Sequence, residues 1–366
     1  MKIYLVGGAV RDKLLGFPIK ERDFVVVGST VAEMLRLGFR QVGKEFPVFL
    51  HPKTKEEYAL ARAERKVKPG YQGFEFDTDR TVTLEEDLIR RDLTINAMAY
   101  DEETNQLIDP FHGKADLEQR LLRHVSPAFA EDPVRILRIG RFLARYHGLG
   151  FHIYSETLLL MKTMVNAGEV NALVAERVWK ELERALLEPY PTLFFSTLEQ
   201  CGALSILFPG LTQTSRGMKA LLASSATTSA AVRFAALLHD LNPDVITSLC
   251  ERYRVPKAFR DLAVLTARHF AMVLRVATLT TEEWLQLFNA MDLFRREMRF
   301  NEFIEACIAI AEVDDRILDV EKIRHCANEV KSIDVQAILN RGLQGGALVD
   351  AIQAARKEKI ALFLAK

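Results

Sequence analysis

IYLVGGAVRDKLLGFPIKERDFVVVG, residues 3–28, is the stretch that decides the fold. Ile3 to Val6 is a short apolar run of strand type, and Gly7 and Gly8 follow it at once. Ala9 to Leu15 then has helical spacing, with Gly16 placed to close it. Phe24 to Val27 returns to a β-branched strand pattern. Two features here bear on chemistry. Backbone N–H groups at a glycine turn that opens a helix can cradle phosphate oxygens. Glu21 and Asp23 lead into the second strand, where residues i and i+2 share a side. Carboxylates so placed repel unless a cation separates them, and divalent metal there can clamp a triphosphate and an attacking hydroxyl. Acidic residues two apart are common at strand ends, so the pair takes its meaning from the glycine turn. That turn is neither GxGxxG nor GxxxxGK[ST], which excludes a dinucleotide fingerprint and a P-loop. A phosphate turn followed by a carboxylate pair points to nucleotidyl transfer.

Outward from this stretch, the first 125 residues alternate strands and helices. Val31 to Leu37 reads as a helix, and Gln41 to Leu50 and Tyr58 to Ala61 as strands. Glu64 to Asp79, rich in Lys, Gly and Asp, reads as a flexible loop. From Ser126 glycine thins out and helical periodicity dominates. Pro133 stands at a helix start behind Glu131 and Asp132, and Leu173 to Leu187 is an amphipathic helix stopped by Pro189 and Pro191. Cys201 to Lys366 reads as helices with short joints. The expected fold class is α+β, with a head at 1–125, a helical neck at 126–200 and a helical body and tail at 201–366.

Composition narrows the classes further. The 366 residues carry 49 Lys plus Arg against 49 Asp plus Glu, which excludes a bulk polycation while leaving room for a local basic groove. Four cysteines without a CxxC argue against a cysteine zinc site and a disulfide scaffold. The N-terminus does not read as a signal peptide and no run of 18 apolar residues occurs, so a cytoplasmic protein without a membrane partner is expected. No heptad pattern supports a dimer, and no obligate protein partner is readable.

Eight ordered stretches resemble the class II tRNA nucleotidyltransferases, the CCA-adding enzymes, within the polymerase-β-like superfamily. They are GGAVRD (7–12), ERDFVVVG (21–28), GKEFPVFL (43–50), ERKVKPGYQGF (64–74), RRDLTINAMA (90–99), DPFHGKADL (109–117), EDPVRILRIGRF (131–142) and AERVWKELERAL (175–186). Bacterial poly(A) polymerases share many of these motifs, and GKEFPVFLHPKTKEEYALAR is similar to the CCA-adding branch. The resemblance covers roughly residues 1–210. It implies a head with a mixed sheet, addition of CCA to the 3′ end of tRNA from CTP and ATP without a template, and Mg²⁺ as cofactor.

Residue by residue, the resemblance assigns Glu21 and Asp23 to the catalytic metals, with Glu57 a candidate third carboxylate. The family pattern is DxD, so Glu21 adds one methylene. Gly8 and Arg11 fall in the phosphate turn, and Arg90, Arg91 and Asp92 in the sugar-recognition motif. Asp132 and Arg135, three apart on one helix, would read the base. Cytosine and adenine both present an amine beside an accepting ring nitrogen, which Asp can accept from and Arg can donate to. Arg138, Arg141 and Arg145 continue a basic stripe toward triphosphate or RNA, some of it paired with Glu176 or Glu181. Asn96, Glu176 and Arg177 are supporting residues, and Lys66, Lys68, Gly70, Tyr71 and Gly73 belong to a loop that helps switch selection from C to A.

VRFAALLHDL (232–241) resembles an HD phosphohydrolase motif. Asn242-Pro243 replaces the expected Gly-Lys, Lys219 stands where a first ligand belongs, and no His-rich stretch follows. His239 and Asp240 are therefore expected to be an inactive remnant that pins a helix. Rival readings are a CC-only or A-only enzyme, a poly(A) polymerase, and an inactive RNA-binding relative.

Overall fold

The computed structural model describes residues 1–42, 47–66, 74–77 and 79–365, which divide into two compact units, Met1–Pro209 and Gly210–Lys366. The first unit opens with β1 (Lys2–Val6), α1 (Gly8–Leu14), β2 (Asp23–Val27), α2 (Val31–Arg36), β3 (Arg40–Gln41), β4 (Val48–Leu50) and β5 (Glu57–Leu60). Next come β6 (Ala63–Lys66), β7 (Phe74–Asp77), α3 (Leu84–Ile89), β8 (Ala99–Asp101), β9 (Gln106–Ile108) and α4 (Gly113–Glu118). The seven-stranded sheet runs β3-β4-β5-β2-β1-β8-β9 and is mixed, because β2 and β5 pair in parallel while their neighbours are antiparallel.

Strand alternation gives this sheet two buried faces. Leu5, Phe24, Val26 and Leu60 pack with Met34, Phe49 and Met98 on one side. Tyr4, Val6 and Val25 pack with Leu88 and Ala97 on the other. Each fully buried aliphatic chain contributes roughly 1.5–3 kcal/mol against the entropy of ordering it. Thr30 and Thr83 start α2 and α3 with capping boxes, through Glu33 and Glu86.

After the head follow β10 (Leu121–Leu122), α5 (Val134–Tyr146), β11 (His152–Ile153), α6 (Ser155–Asn166), α7 (Ala175–Leu186), α8 (Thr192–Gln200) and α9 (Leu204–Leu207). Helix α5 packs against α7 and α8, and Gly140 permits the closest approach, since a Cβ there would lie 3.1 Å from Phe194. The second unit holds α10 (Arg216–Ala223), α11 (Ala230–Leu238), α12 (Pro243–Arg252), α13 (Lys257–Val273), α14 (Thr281–Ala290), α15 (Glu297–Glu312), α16 (Val320–Lys331), α17 (Val335–Leu339) and α18 (Gly345–Leu364). Helix α11 is its centre, buried on nearly every side and packed against α10, α13 and α15. From Cys201 on no strand occurs among the described residues, as the periodicity predicts, whereas β11 (His152–Ile153) interrupts the neck expected to be all helical.

Two local expectations are corrected. Gln41 to Leu50 is not one strand, because β3 and β4 pair antiparallel with Arg40 opposite Leu50. Glu64 to Asp79 is not all loop, because β6 and β7 pair antiparallel with Lys66 opposite Phe74. Both pairings are made with a partner strand, and four-residue alternations are too short to stand out in a Lys- and Gly-rich stretch. Lys66 ends β6, whereas Lys68, Gly70, Tyr71 and Gly73 lie outside the described residues. Among the described residues no helix is long and apolar enough to cross a membrane.

Candidate nucleotide and metal site

A cleft of about 480 Å³ opens in the first unit, between the sheet's carboxylate end and helices α5 and α7. Its floor begins at the glycine turn. Gly7 has φ 69° and Gly8 starts α1. A Cβ on Gly7 would lie 2.9 Å from Arg91 Nη1, so this turn demands glycine both for its backbone and for the guanidinium beside it. Arg11, on the first turns of α1, is buried and committed. Its Nε and Nη2 donate to Asp12 Oδ1 at 3.0 and 2.8 Å, and its Nη1 to Asn96 Oδ1 at 2.6 Å.

The carboxylates meet at the head of β2. Asp23 is its first residue, paired with Val6 on β1 and Glu57 on β5. Glu21 precedes the strand, so strand alternation is not what aligns it with Asp23; both nevertheless line the cleft. Burial first, then the charge of Glu57, push the Asp23 carboxyl above the usual aspartate range; Glu21 adds to this while Arg91 opposes it. Glu21 and Asp23, both lining the cleft, are oxygen donors of the kind that suits a hard divalent cation. Among the described residues no group of three or more His, Cys, Asp or Glu stands close enough to cage a metal alone. The Glu21 and Asp23 pair suits Mg²⁺ by donor chemistry, since that ion takes one or two carboxylates and completes its shell with water and substrate phosphates.

The sugar-motif residues form a buried brace. Asp87 on α3 accepts from Arg90 Nη2 at 2.9 Å and Arg91 Nη2 at 3.1 Å. Burial opposes its charge, yet Arg91 and Arg90 hold its carboxyl below the usual range. Asp92, which falls in the sugar-recognition motif, lines the cleft and is also bonded internally. It accepts from Leu93 N at 2.8 Å, Asn96 Nδ2 at 2.9 Å and Arg138 Nε at 2.7 Å. Despite complete burial, Arg138 and Asn96 hold its carboxyl far below the aspartate range. Asn96 thus bridges Arg11 and Asp92, the supporting role its motif implies.

The base-reading pair needs correction. Asp132 is not on the helix, which begins at Val134 behind Pro133. Its Oδ1 accepts from Val134 N at 3.2 Å, and both its oxygens take a fork from Arg177 on α7, at 3.0 and 2.7 Å. The Arg135 guanidinium donates to the carbonyls of Ala128 at 2.9 Å and Arg90 at 2.6 Å. Both residues still line the cleft.

The stripe on α5 exists, and Arg138, Arg141 and Arg145 each have an acidic partner. Arg138 meets Asp92 and, at 3.7 Å, Glu181; Arg141 meets Glu181 at 2.6 Å and Glu188 at 3.7 Å; Arg145 meets Asp12 at 3.7 Å. Glu176 is exposed on the first turn of α7. Four cleft residues escaped the sequence reading: Arg62, Phe142, Arg184 and, in an adjoining chamber, Lys20. Phe142 lies four residues after Arg138, and the guanidiniums of Arg11, Arg138 and Arg141 sit 4.6–5.5 Å from its ring centroid. Arg184 lies seven after Arg177 on α7, a spacing that signals a shared face.

In the second unit, His239 ends α11 and is buried. Its Nδ1 is 2.8 Å from the Ala236 carbonyl and its ring stands edge-on to Phe270 at 5.8 Å. Burial lowers its pKa. Asp240 is exposed.

Residues 3–123 match the family described as the poly A polymerase head domain, and residues 150–214 the one described as the probable RNA and SrmB-binding site of polymerase A. The chain is 49% identical to the multifunctional CCA protein of Thioalkalivibrio sulfidiphilus, over 98% of each. It is 50% identical to the CCA-adding enzyme of Coxiella burnetii, over 98% of this chain and 95% of the other. The solved structure of the Thermotoga maritima CCA-adding enzyme complexed with tRNA(CCA) shares the fold. It has a TM-score of 0.67 at 22% identity, over 99% of this chain and 90% of that one.

Proposed function

The chain belongs to the bacterial family of CCA-adding enzymes and poly(A) polymerases, and from that premise we propose that it completes the CCA end of tRNA, using CTP and ATP and releasing pyrophosphate. The observation that carries this reading is the crowding of Asp23 by Glu57 and Glu21 at the edge of an arginine-lined cleft. Mg²⁺ held by Glu21 and Asp23 would lower the pKa of the attacking hydroxyl and bind the leaving phosphates. The acceptor 3′ oxygen bonds the α-phosphorus as the bond from that phosphorus to pyrophosphate breaks, and the hydroxyl proton passes to solvent.

The chain's own residues supply position and charge. Gly7 and Gly8 let phosphate approach the start of α1, and Arg91 stands over that turn. Asn96, Asp92 and Arg138 lock α5 against the head, so that Asp132 and Arg135 are held at the cleft wall. Arg177 orients Asp132 through its two-bond fork, leaving the carboxylate to accept from the amine of cytosine or adenine with its remaining lone pairs. Arg135, whose guanidinium is oriented by two carbonyls at the same wall, is assigned the ring nitrogen. Guanine and uracil present the reverse order and are refused.

We also keep the partition into head (1–125), neck (126–200) and body with tail (201–366), the last holding tRNA. We further infer that the second unit carries a degenerate, shortened HD region without phosphohydrolase activity. The burial of His239 between the Ala236 carbonyl and Phe270 supports that view.

Glu21, the departure from DxD, favours one second reading, an inactive relative that still binds RNA. An incorporation assay with Mg²⁺ decides between them, using one tRNA ending at the discriminator base and one ending in CC. Growth by three nucleotides and by one supports CCA addition. Addition of CC only or A only means a restricted enzyme, and unlimited A means a poly(A) polymerase. Binding without growth means that Glu21 cannot serve as Asp does.

A further inference from the structure

Arg22 stands between the two carboxylates assigned to the metal, yet it does not join them. Among the described residues Glu21 and Asp23 line the cleft, and Arg22 does not. We propose that Arg22 is a positioning residue, a tether that holds residues 21–23 so that Glu21 is presented beside Asp23 to a divalent cation. The proposal deepens the nucleotidyl-transfer reading and rests on it.

The sheet fixes only one of the two acids. Asp23 is held in the ladder, opposite Val6 on β1 and Glu57 on β5. Residues 18–22 belong to no helix or strand, so no ladder sets the backbone of Glu21. Its side chain also has one more rotatable bond than an aspartate, and that freedom must be given up when a cation is gripped. Mg²⁺ demands near-ideal octahedral geometry and tolerates little slack in its ligands. A restraint on residue 21 has to come from its neighbours.

The contacts of Arg22 supply that restraint. Along an extended chain it shares a side with Phe24 and Val26, which pack into the core on the face away from Val25. Its guanidinium lies 5.2 Å from the ring centroid of Phe24, and that ring stacks on Tyr58 at 4.5 Å. From there Nη2 donates to Glu102 at 2.5 Å, and Nη1 lies 3.7 Å from Glu56. Both anchors are themselves held. Glu102 sits in the turn after β8, where Asp101 accepts from the backbone N–H groups of Glu103 at 2.9 Å and Thr104 at 3.1 Å. Glu56, just ahead of β5, accepts from the Thr54 hydroxyl at 2.7 Å. In the sheet order β5 lies on one side of β2 and β8 on the other, so one guanidinium ties the head of β2 from both directions.

A tether and a bare charge predict opposite signs. A cation beside two metal-binding acids repels a second cation, so removing it as a charge strengthens metal binding. Removing it as a tether lets Glu21 drift from Asp23 and weakens metal binding.

The test is Mn²⁺ binding to the full chain without nucleotide, read from the EPR signal of free Mn²⁺, with Asp23→Asn marking the background. The Mn²⁺ Kd of Arg22→Ala should rise roughly tenfold, the low end for a partner one step behind a metal ligand, because both ion pairs are partly exposed. Glu102→Gln, far from the cation, should weaken binding in the same direction, and the double variant should be no weaker than Arg22→Ala alone. The Mg²⁺ concentration for half-maximal C incorporation should rise in parallel, with kcat at saturating Mg²⁺ within about threefold of wild type. Melting temperatures in chelator should stay within about 4 °C of wild type, as for exposed ion pairs. An unchanged or lower Mn²⁺ Kd in Arg22→Ala overturns the proposal, and so does an unchanged Kd in Glu102→Gln or an additive double variant. A wild-type chain that binds Mn²⁺ no better than Asp23→Asn removes the metal assignment and the tether with it. A wild-type chain that binds Mn²⁺ but extends no RNA overturns the nucleotidyl-transfer reading, and the tether is then decided by the Mn²⁺ affinities alone.

Discussion

Asp23 opens β2 with Glu57 beside it on the next strand and Glu21 two residues before it. Arg22, between the two acids, is drawn away to Glu102 at 2.5 Å and Glu56 at 3.7 Å, so it neutralises neither in the cleft. That arrangement is useful to a metal and costly to the fold. Because burial and Glu57 raise the Asp23 pKa, the folded chain keeps this proton at pH values where the unfolded chain has released it. Stability therefore falls as pH rises from about 4 through the folded pKa, and remains lower above it. Asp23→Asn should cut incorporation about a hundredfold or more. The same substitution should raise the melting temperature at pH 7 in a metal chelator, with the difference vanishing toward pH 3. Loss of both activity and stability at pH 7 would show that Asp23 is held by contacts rather than strained by charge.

Helix α5 illustrates how one element's sequence reveals its faces but not its partners. The i, i+3 and i+4 spacing of Arg135, Arg138, Arg141 and Arg145 makes the stripe legible, and the strands of the glycine-turn stretch are legible by alternation. What the stripe pairs with is not local: Asp92 lies 46 residues away and Glu181 lies 40 residues away. The same holds for Asp132, which helix spacing places on α5 with Arg135 and the fold places ahead of that helix, held by Arg177 on α7. Arg184 escaped notice because its role depends on which way α7 packs. The Asp92–Arg138 pair is thus a fastener between head and helix, and Asp92→Asn should cost about 2–3 kcal/mol in urea unfolding at pH 7. That figure is at the low end for a buried pair, because the Arg138 side chain is a third exposed. Because the Asp92 pKa is lowered, its stabilisation is present above the ordinary value near 4 and is lost as pH falls below it. The wild-type and variant stabilities should therefore converge in acid. A constant gap from pH 7 to pH 3 would mean that the lost energy is packing, not charge.

Across the whole molecule, charge and chemistry are distributed unevenly, although the formal net charge is zero. Ten arginines line a single cleft in the first unit, interleaved with the carboxylates that keep the fold from flying apart there. The second unit has a different character, a helical packing around α11 whose most suggestive side chain, His239, is buried. If that unit is scaffold and not a second metal enzyme, His239 is a neutral packing residue, and its titration is only a liability. Burial holds its pKa below 6.5, so as pH falls through 6.5 the unfolded chain takes up a proton that the folded chain refuses, and stability drops toward the folded pKa. Its Nε2 has no hydrogen-bond partner among the described residues, so an apolar replacement of similar volume sacrifices only the Ala236 contact. His239→Leu should therefore match the wild type within about 1 kcal/mol at pH 8 and lose less stability between pH 6.5 and 5. Nucleotide incorporation should be unchanged, because the residues proposed for the reaction all lie in the first unit. Comparing urea midpoints of the two proteins across that range isolates His239 from the other histidines. Identical acid limbs would place a counter-charge at this ring, and a fall in phosphodiesterase activity with added divalent metal would return the second unit to the enzymes.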